Sequence, residues 1–312
     1  MNLTRPQPKA VIICGPTGIG KTGFAMALAQ TFGGEIVGAD SMQIYRHMNI
    51  GTAKPSHDEQ RMVRHHMVDV IDPDETFDAQ TYADMAFAHV SNLAGRGVVP
   101  FVVGGTGLYI RSLVFGLFGG DPSDPLIRNR LTNEAKTQGH QRMYQRLALC
   151  DPDTAKKLHA NDTYRIIRAL EVYERTGTPL SAHHRRHRFR ERRLNTLSLG
   201  LMMDRDVLYQ RIDARVDAMI DAGLLEEVRR LLDAGYSQEL KSMQSLGYRH
   251  MVDFVHDRMD WAETVRTMKR DTRRYAKRQL TWFRADPEII WLTPEEIDKA
   301  ESAVGRFLEK MK

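Results

Sequence analysis

Hydrophobic and polar positions along this chain fall into two textures. Between Ala10 and Gly105, short apolar runs alternate with amphipathic stretches. The runs are "AVIIC" (Ala10–Cys14), "EIVGADS" (Glu35–Ser41), "HMVDVID" (His66–Asp72) and "VVPFVVGG" (Val98–Gly105). Runs of this length and composition, bounded by glycine and polar clusters, predict strands. Between them, "GFAMALAQTFG" (Gly23–Gly33) and Tyr82–Leu93 have helical spacing, and each stops at a glycine-containing turn. Strands separated by helices predict a parallel sheet covered on both faces.

Near Gly116 the texture changes. "GLFGGDPSDP" (Gly116–Pro125) is dense in turn formers and marks a boundary. From Pro125 to Gly177 the pattern is helical, clearest in "DPLIRNRLTNEAKTQG" and "YRIIRALEVYERTG". "TLSLGLMM" (Thr196–Met203) then reads as a strand, as though the sheet resumes. Val207–Ala222 reads as a helix with Leu208, Ile212, Val216, Met219 and Ile220 on one face and Gly223 as its stop. The expected class is α/β: a P-loop NTPase-like parallel sheet flanked by helices, with a helical insertion domain. Its core spans 1–116 and 198–312, the latter mostly helical, and the insertion spans 117–197.

Composition narrows this little. With 312 residues and 42% of them hydrophobic, the chain can build a packed core. No apolar run approaches the ~18 residues of a membrane helix, and the N-terminal apolar segment is too short for a secretory signal. Two cysteines, Cys14 and Cys150, form no C-x-x-C pair. A reducing, cytoplasmic setting is expected, with Cys14 a small buried hydrophobe. The net charge of +5 is modest, so its placement matters more than its size.

Gly15-Pro16-Thr17-Gly18-Ile19-Gly20-Lys21-Thr22 matches G-x-x-x-x-G-K-[ST] in full, between a predicted strand and a predicted helix. Such a loop turns backbone N–H groups onto phosphate oxygens and adds the positive end of the following helix. Lys21 supplies a point charge, and Thr22 can ligate Mg²⁺. The motif identifies a phosphate binder, usually of ATP, without identifying a reaction. Asp40 ends the second predicted strand, where strand C-termini face a ligand crevice. A partner to the waters around a bound Mg²⁺, a proton acceptor and a plain turn cap all fit it equally. Thr106 sits in a glycine-rich turn after the fourth run, on the same side. Apart from Asp69 and Asp72, no further apolar strand ends in acidic residues that would activate water for hydrolysis.

Two segments concentrate positive charge. Thr272–Arg284, "TRRYAKRQLTWFR", has five Lys or Arg and no acid, interleaved with Tyr275, Trp282 and Phe283. Cations for phosphates and rings for base stacking mark nucleic-acid binders, although an amphipathic helix with a solvated basic face reads the same way. His183–Arg193 adds six Arg and one Glu. Arg211 and Arg215 are one helical turn apart, positioned to hold a diphosphate or to pair with a nearby Asp.

Taken together, "GPTGIGKT", "ADSMQIYRHMNIGTAKP", "HHMVD", "GGTGLYI", "NDTYRIIRALEVY", "SLGYRH" and "TRRYAKRQLTWFR" resemble, in order, the motifs of bacterial tRNA dimethylallyltransferases, from about Ala10 to Trp291. One departure is Gly18-Ile19, where the family often has Ala-Ser; the spacing is kept. The resemblance implies transfer of a dimethylallyl group from dimethylallyl diphosphate to N6 of the adenosine 3′ of the anticodon, position 37, in tRNAs reading codons that begin with U. The products are N6-isopentenyladenosine and diphosphate. It implies Asp40, Thr106 and Arg215 as catalytic residues. Gly15 to Thr22, with Arg211, would bind the diphosphate, and Thr22 the Mg²⁺ cofactor. Asp40, Ser41, Met42, Gln43 and Thr106 would contact the target nucleotide. Arg128 and Tyr164, Arg165, Ile166, Ile167 and Arg168 would contact tRNA from the insertion. Ser245, Leu246, Gly247, Tyr248, Arg249 and His250, with Lys277, Arg278, Gln279, Thr281, Trp282, Phe283 and Arg284, would complete the tRNA surface. The enzyme is expected to act as a monomer on the anticodon stem-loop, with no membrane partner. A P-loop kinase acting on a small molecule or nucleotide, and a non-catalytic RNA-binding switch, are the alternatives.

Overall fold

A computed structural model describes residues 7–117, 124–187 and 191–309. It divides into two compact units, Met1–Val114 with Arg193–Lys312, and Phe115–Arg192.

The first unit is built on six strands: β1 (Lys9–Cys14), β2 (Gly34–Gly38), β3 (His65–His66), β4 (Val99–Gly104), β5 (Asn195–Leu201) and β6 (Ile290–Leu292). Every pair is parallel, in the order β3-β2-β4-β1-β5-β6. β1 and β4 are central, with Val11 beside Phe101 and Ile13 beside Val103. Their near-continuous apolar runs are those of strands covered on both faces. The helix Lys21–Thr31 packs Phe24, Ala25 and Leu28 into the core that also takes Ile13, Phe101 and Leu199. From β1 the chain crosses to β2, on the far side of β4; from β4 it later crosses to β5, on the other side of β1. The crevice at the carboxyl ends of β1 and β4 is therefore the topological switch point. There β2 and β4 touch closely. A Cβ on Gly104 would overlap the Ala39 carbonyl, so only glycine lets the two strand ends meet.

Two strand readings are corrected. His66–Asp72 is not a strand: only His65 and His66 pair with β2. Met67 and Asp69 adopt φ of 63° and 54°, which turns the chain out of the sheet. Val70 N and Ile71 N then donate to the Ile44 carbonyl, and Arg46 N to that of Ile71. The C-terminal part also adds an edge strand, β6, of three residues, too short to register as a pattern. In the helix Arg205–Asp221, Leu208, Ile212 and Val216 are buried, whereas Met219 and Ile220 are half-buried.

The second unit is all-helical: Pro125–Gln138, His140–Cys150, Pro152–Ala155, Thr163–Thr176 and Leu180–His187. Its own core gathers Leu131, Met143, Leu147, Ile166 and Leu170. Parts of "GLFGGDPSDP" and of the arginine-rich segment, residues 118–123 and 188–190, lie outside the described residues.

Candidate active site

The phosphate loop leaves β1 into the switch-point crevice. Gly15, Gly18 and Gly20 take φ of 149°, 82° and 100°, and Gly20 ends the loop at the N-terminus of the helix Lys21–Thr31. Lys21 Nζ donates to the Pro16 carbonyl at 2.7 Å, which holds the ammonium over the loop. Thr17, Gly18, Gly20, Lys21 and Thr22 all line one cleft. Gly15, Pro16 and Ile19 are buried behind them.

Asp40 follows β2 and lines the same cleft. Its Oδ1 accepts from Met42 N at 2.8 Å, so the turn-capping role is realised. Among the described residues this is the only hydrogen bond to the carboxylate, which keeps acceptor capacity on the cleft side. Thr106 braces this turn. Its Oγ1 accepts from Ser41 N at 3.1 Å, and its own N–H donates to the Ala39 carbonyl.

Opposite charges face each other here. Arg215, from the helix Arg205–Asp221, lines the cleft; burial lowers its pKa, and Asp40 works the other way. Burial lowers Lys21 to about 8, with Asp40 opposing the shift and Arg215 adding to it. Arg211 is exposed and lies outside the loop, its guanidinium beside Gly20. The spacing that put both arginines on one face thus delivers one into the cleft and one to its rim.

The helix Trp261–Arg284 contributes two residues that the sequence reading did not place in the cleft as such. Gln279 Oε1 accepts from Thr17 N at 2.9 Å, and its Nε2 donates to the Gly105 carbonyl at 2.9 Å. One side chain therefore ties the phosphate loop to the turn carrying Thr106. Tyr275 lines the cleft and interacts through its hydroxyl with Thr106 and Gln279; burial, then Asp40, pushes its pKa up, so it stays a phenol. The signal was available: Tyr275, Gln279 and Phe283 recur every four residues, the repeat of an inward helical face.

Several residues expected to touch RNA are buried. Ile166 and Ile167 belong to the core of the helical unit. Gly247, Tyr248, His250 and Phe283 are buried in the first unit, and Gln279 is the internal clamp just described. Lys277, Arg278, Thr281, Trp282 and Arg284 are exposed on their helix. Ser245, Leu246 and Arg249 are half-buried, Arg249 pairing with Asp271 at 2.7 Å. Ser41, Met42 and Gln43 are half-buried beside Asp40. On the helical unit, Tyr164 is 63% exposed and the Arg128 guanidinium stacks on its ring at 5.0 Å. Arg165 is exposed next to it, and Arg168 pairs with the buried Glu171 at 3.1 Å.

Among the described residues no three His, Cys, Asp or Glu side chains gather as a metal cage. Thr22 and Asp40 share the cleft. That sparse oxygen set fits Mg²⁺, which keeps waters and takes substrate phosphate oxygens, and does not fit zinc.

A parallel sheet whose glycine-rich loop shares its cleft with a carboxylate and an arginine defines a P-loop fold. The chain belongs to the IPP transferase family, whose model matches residues 43–286. It is 51% identical over 303 residues, 97% of this chain and 96% of the relative, to the tRNA dimethylallyltransferase of Desulfosudis oleivorans. It is 52% identical over 288 residues, 92% of this chain and 84% of the relative, to that of Syntrophobacter fumaroxidans. Among solved structures, the tRNA isopentenylpyrophosphate transferase of Bacillus halodurans superposes with a TM-score of 0.73 at 37% identity, over 97% of this chain and 98% of that one. A eukaryotic dimethylallyltransferase acting on tRNA reaches a TM-score of 0.81 at 28% identity, over 96% and 77%.

Proposed function

We propose that this protein transfers the dimethylallyl group of dimethylallyl diphosphate to N6 of the adenosine 3′ of the anticodon in tRNA. The observation that carries the reading is Asp40, a carboxylate across one cleft from Lys21, Arg215 and the phosphate loop. In the step proposed, the C1–O bond of the allylic diphosphate breaks and a C1–N6 bond forms. The N6 proton passes to Asp40, and the diphosphate leaves with the bonding electrons. Lys21, the loop amides and Arg215 oppose the negative charge that grows on it, in a buried setting where such charges act strongly. Arg211 supports the diphosphate from the rim. Thr106 donates to the bridging oxygen, its orientation fixed by Ser41 and Tyr275. Thr22 would hold Mg²⁺, which adds positive charge on the leaving group when bound. The adenine must leave its stack to reach a centre this enclosed. Exposed Lys277, Arg278, Thr281, Trp282 and Arg284, with Arg128, Tyr164, Arg165 and Arg168, supply cations and rings for the RNA. No described helix is long and apolar enough to cross a membrane. A cytoplasmic site of action belongs to the same reading.

Incubation of unmodified anticodon stem-loops with labelled dimethylallyl diphosphate, and in parallel with labelled ATP, tests it. Label entering RNA from the prenyl donor is expected. Asp40→Ala should lower kcat by roughly 10²–10⁴-fold, the usual worth of a general base, with RNA affinity retained. Label released only from ATP makes this a phosphotransferase or a hydrolase instead.

A further inference from the structure

Outside the cleft, the most heavily bonded carboxylate of the described residues is Glu227, on the helix Leu224–Asp233. It is 3% exposed, in contact with no cation, and yet fully satisfied. Its two oxygens accept from three successive backbone N–H groups. Asn49 N donates at 2.9 Å, Ile50 N at 2.9 and 3.1 Å, and Gly51 N at 3.3 Å. The Tyr248 hydroxyl completes the set at 2.5 Å from Oε1. Burial, then the adjacent Glu227, drives the phenol pKa upward, so it remains a donor. Three consecutive amides turned onto one anion form a nest, the backbone device proteins use for phosphates. Here the nest is filled by the protein's own carboxylate. The fit is tight: a Cβ on Gly51 would overlap the Tyr248 ring.

What this clamp holds is a wall of the cleft. The chain runs from Gly51 through Thr52 into Ala53, which is held at φ 45°, a conformation alanine seldom adopts. Gln43 Nε2 donates to the carbonyls of Thr52 and Ala53, at 3.3 and 3.1 Å. Gln43, Ala53 and Pro55 all line the same cleft as the phosphate loop. Strain of this kind persists only where neighbours over-determine it. The neighbours are Gln43 on one side and the nest on the other.

We infer that Glu227, with Tyr248, is a positioning residue for the nucleotide-facing wall of the cleft. Glu227 fixes Asn49–Gly51, which fixes Ala53 and Gln43 where the target adenosine enters. This inference rests on the cleft being a transferase site. The wall touches the RNA side and not the phosphates, so its loosening should separate the two substrates.

In Glu227→Gln, an amide N–H replaces one acceptor and confronts a backbone donor. The KM for an anticodon stem-loop should rise roughly tenfold or more, the sensitivity expected of a misplaced substrate contact, with a smaller fall in kcat. The Kd for inorganic pyrophosphate should stay within about twofold. Tyr248→Phe, which removes a single hydroxyl, should move the RNA KM in the same direction by less. Unchanged RNA kinetics in folded Glu227→Gln overturns the inference, as does a pyrophosphate Kd that weakens in step with the RNA KM. Should Glu227→Gln not fold, an unaltered RNA KM in Tyr248→Phe overturns it. Should the wild type transfer nothing to RNA, the transferase reading falls. The clamp is then judged by amide hydrogen exchange, which must accelerate at Asn49, Ile50 and Gly51 in the variant.

Discussion

Lys21 is a lysine that works close to its own titration. Burial lowers its pKa to about 8, the Arg215 charge adding to the shift and Asp40 opposing it. A lowered pKa favours the neutral amine, so the ammonium is present below about pH 8 and is lost above it. On the proposed function, a diphosphate entering the cleft would need that charge. Pyrophosphate affinity of the free protein should therefore weaken as pH rises from 7 to 9.5. In Lys21→Arg the guanidinium stays charged across this range, and the decline should vanish. Calorimetric titration of both proteins over that window decides the matter; parallel pH profiles would show that Lys21 is not the titrating group. The motif made the loop and the place of Lys21 in it legible, because spacing alone encodes the loop. The Lys21 pKa was not legible, because its burial, and the charges of Asp40 and Arg215 beside it, are set only by the fold.

At the scale of elements, the helix Trp261–Arg284 shows what composition can and cannot reveal. Five cations with interleaved rings identified it as basic and aromatic. What composition hides is that adjacent positions point opposite ways. Ala276, Gln279 and Phe283 face inward, while Lys277, Arg278 and Arg284 face solvent. The helix is locked against Arg205–Asp221 by Arg273 on Asp213 and Lys269 on Asp217, each at 2.6 Å. Replacing Lys277 and Arg278 by Ala thus removes charge without touching the clamp or the core. RNA binding should weaken, and the log–log salt slope should flatten by about 1.5, the release expected from two lost phosphate contacts. Filter binding at several salt concentrations measures it; an unchanged slope would make the outer face merely a solvated one. The third strand was misread for a related reason. "HMVDVID" has strand composition, but Met67 and Asp69 are left-handed because the segment bonds back to Ile44 and Arg46, and no local pattern records that partner.

For the molecule as a whole, the consequential fact is that, among the described residues, the helical insertion gathers a hydrophobic core of its own. The insertion could be read from the sequence because helical periodicity interrupts a strand pattern that later resumes. Its packing could not, since Ile166 and Ile167 lie in a motif whose neighbours Tyr164 and Arg165 are exposed. The insertion's share of the proposed RNA contacts therefore rests on a core of its own. Leu147, fully buried on the helix His140–Cys150, packs in the core formed with Pro125–Gln138 and Thr163–Thr176, the helices that carry Arg128, Tyr164, Arg165 and Arg168. Leu147→Ala deletes buried methyls and leaves a void, a loss of about 2–5 kcal/mol of local stability. The exposed cations on those helices then lose their fixed spacing. RNA affinity should fall, and protease cuts within the insertion should appear earlier, while the pyrophosphate Kd stays at its wild-type value. Limited proteolysis together with the two titrations provides the check. If pyrophosphate binding declines along with RNA binding, the cores are one cooperative unit, and the diphosphate site draws on the insertion for its stability after all.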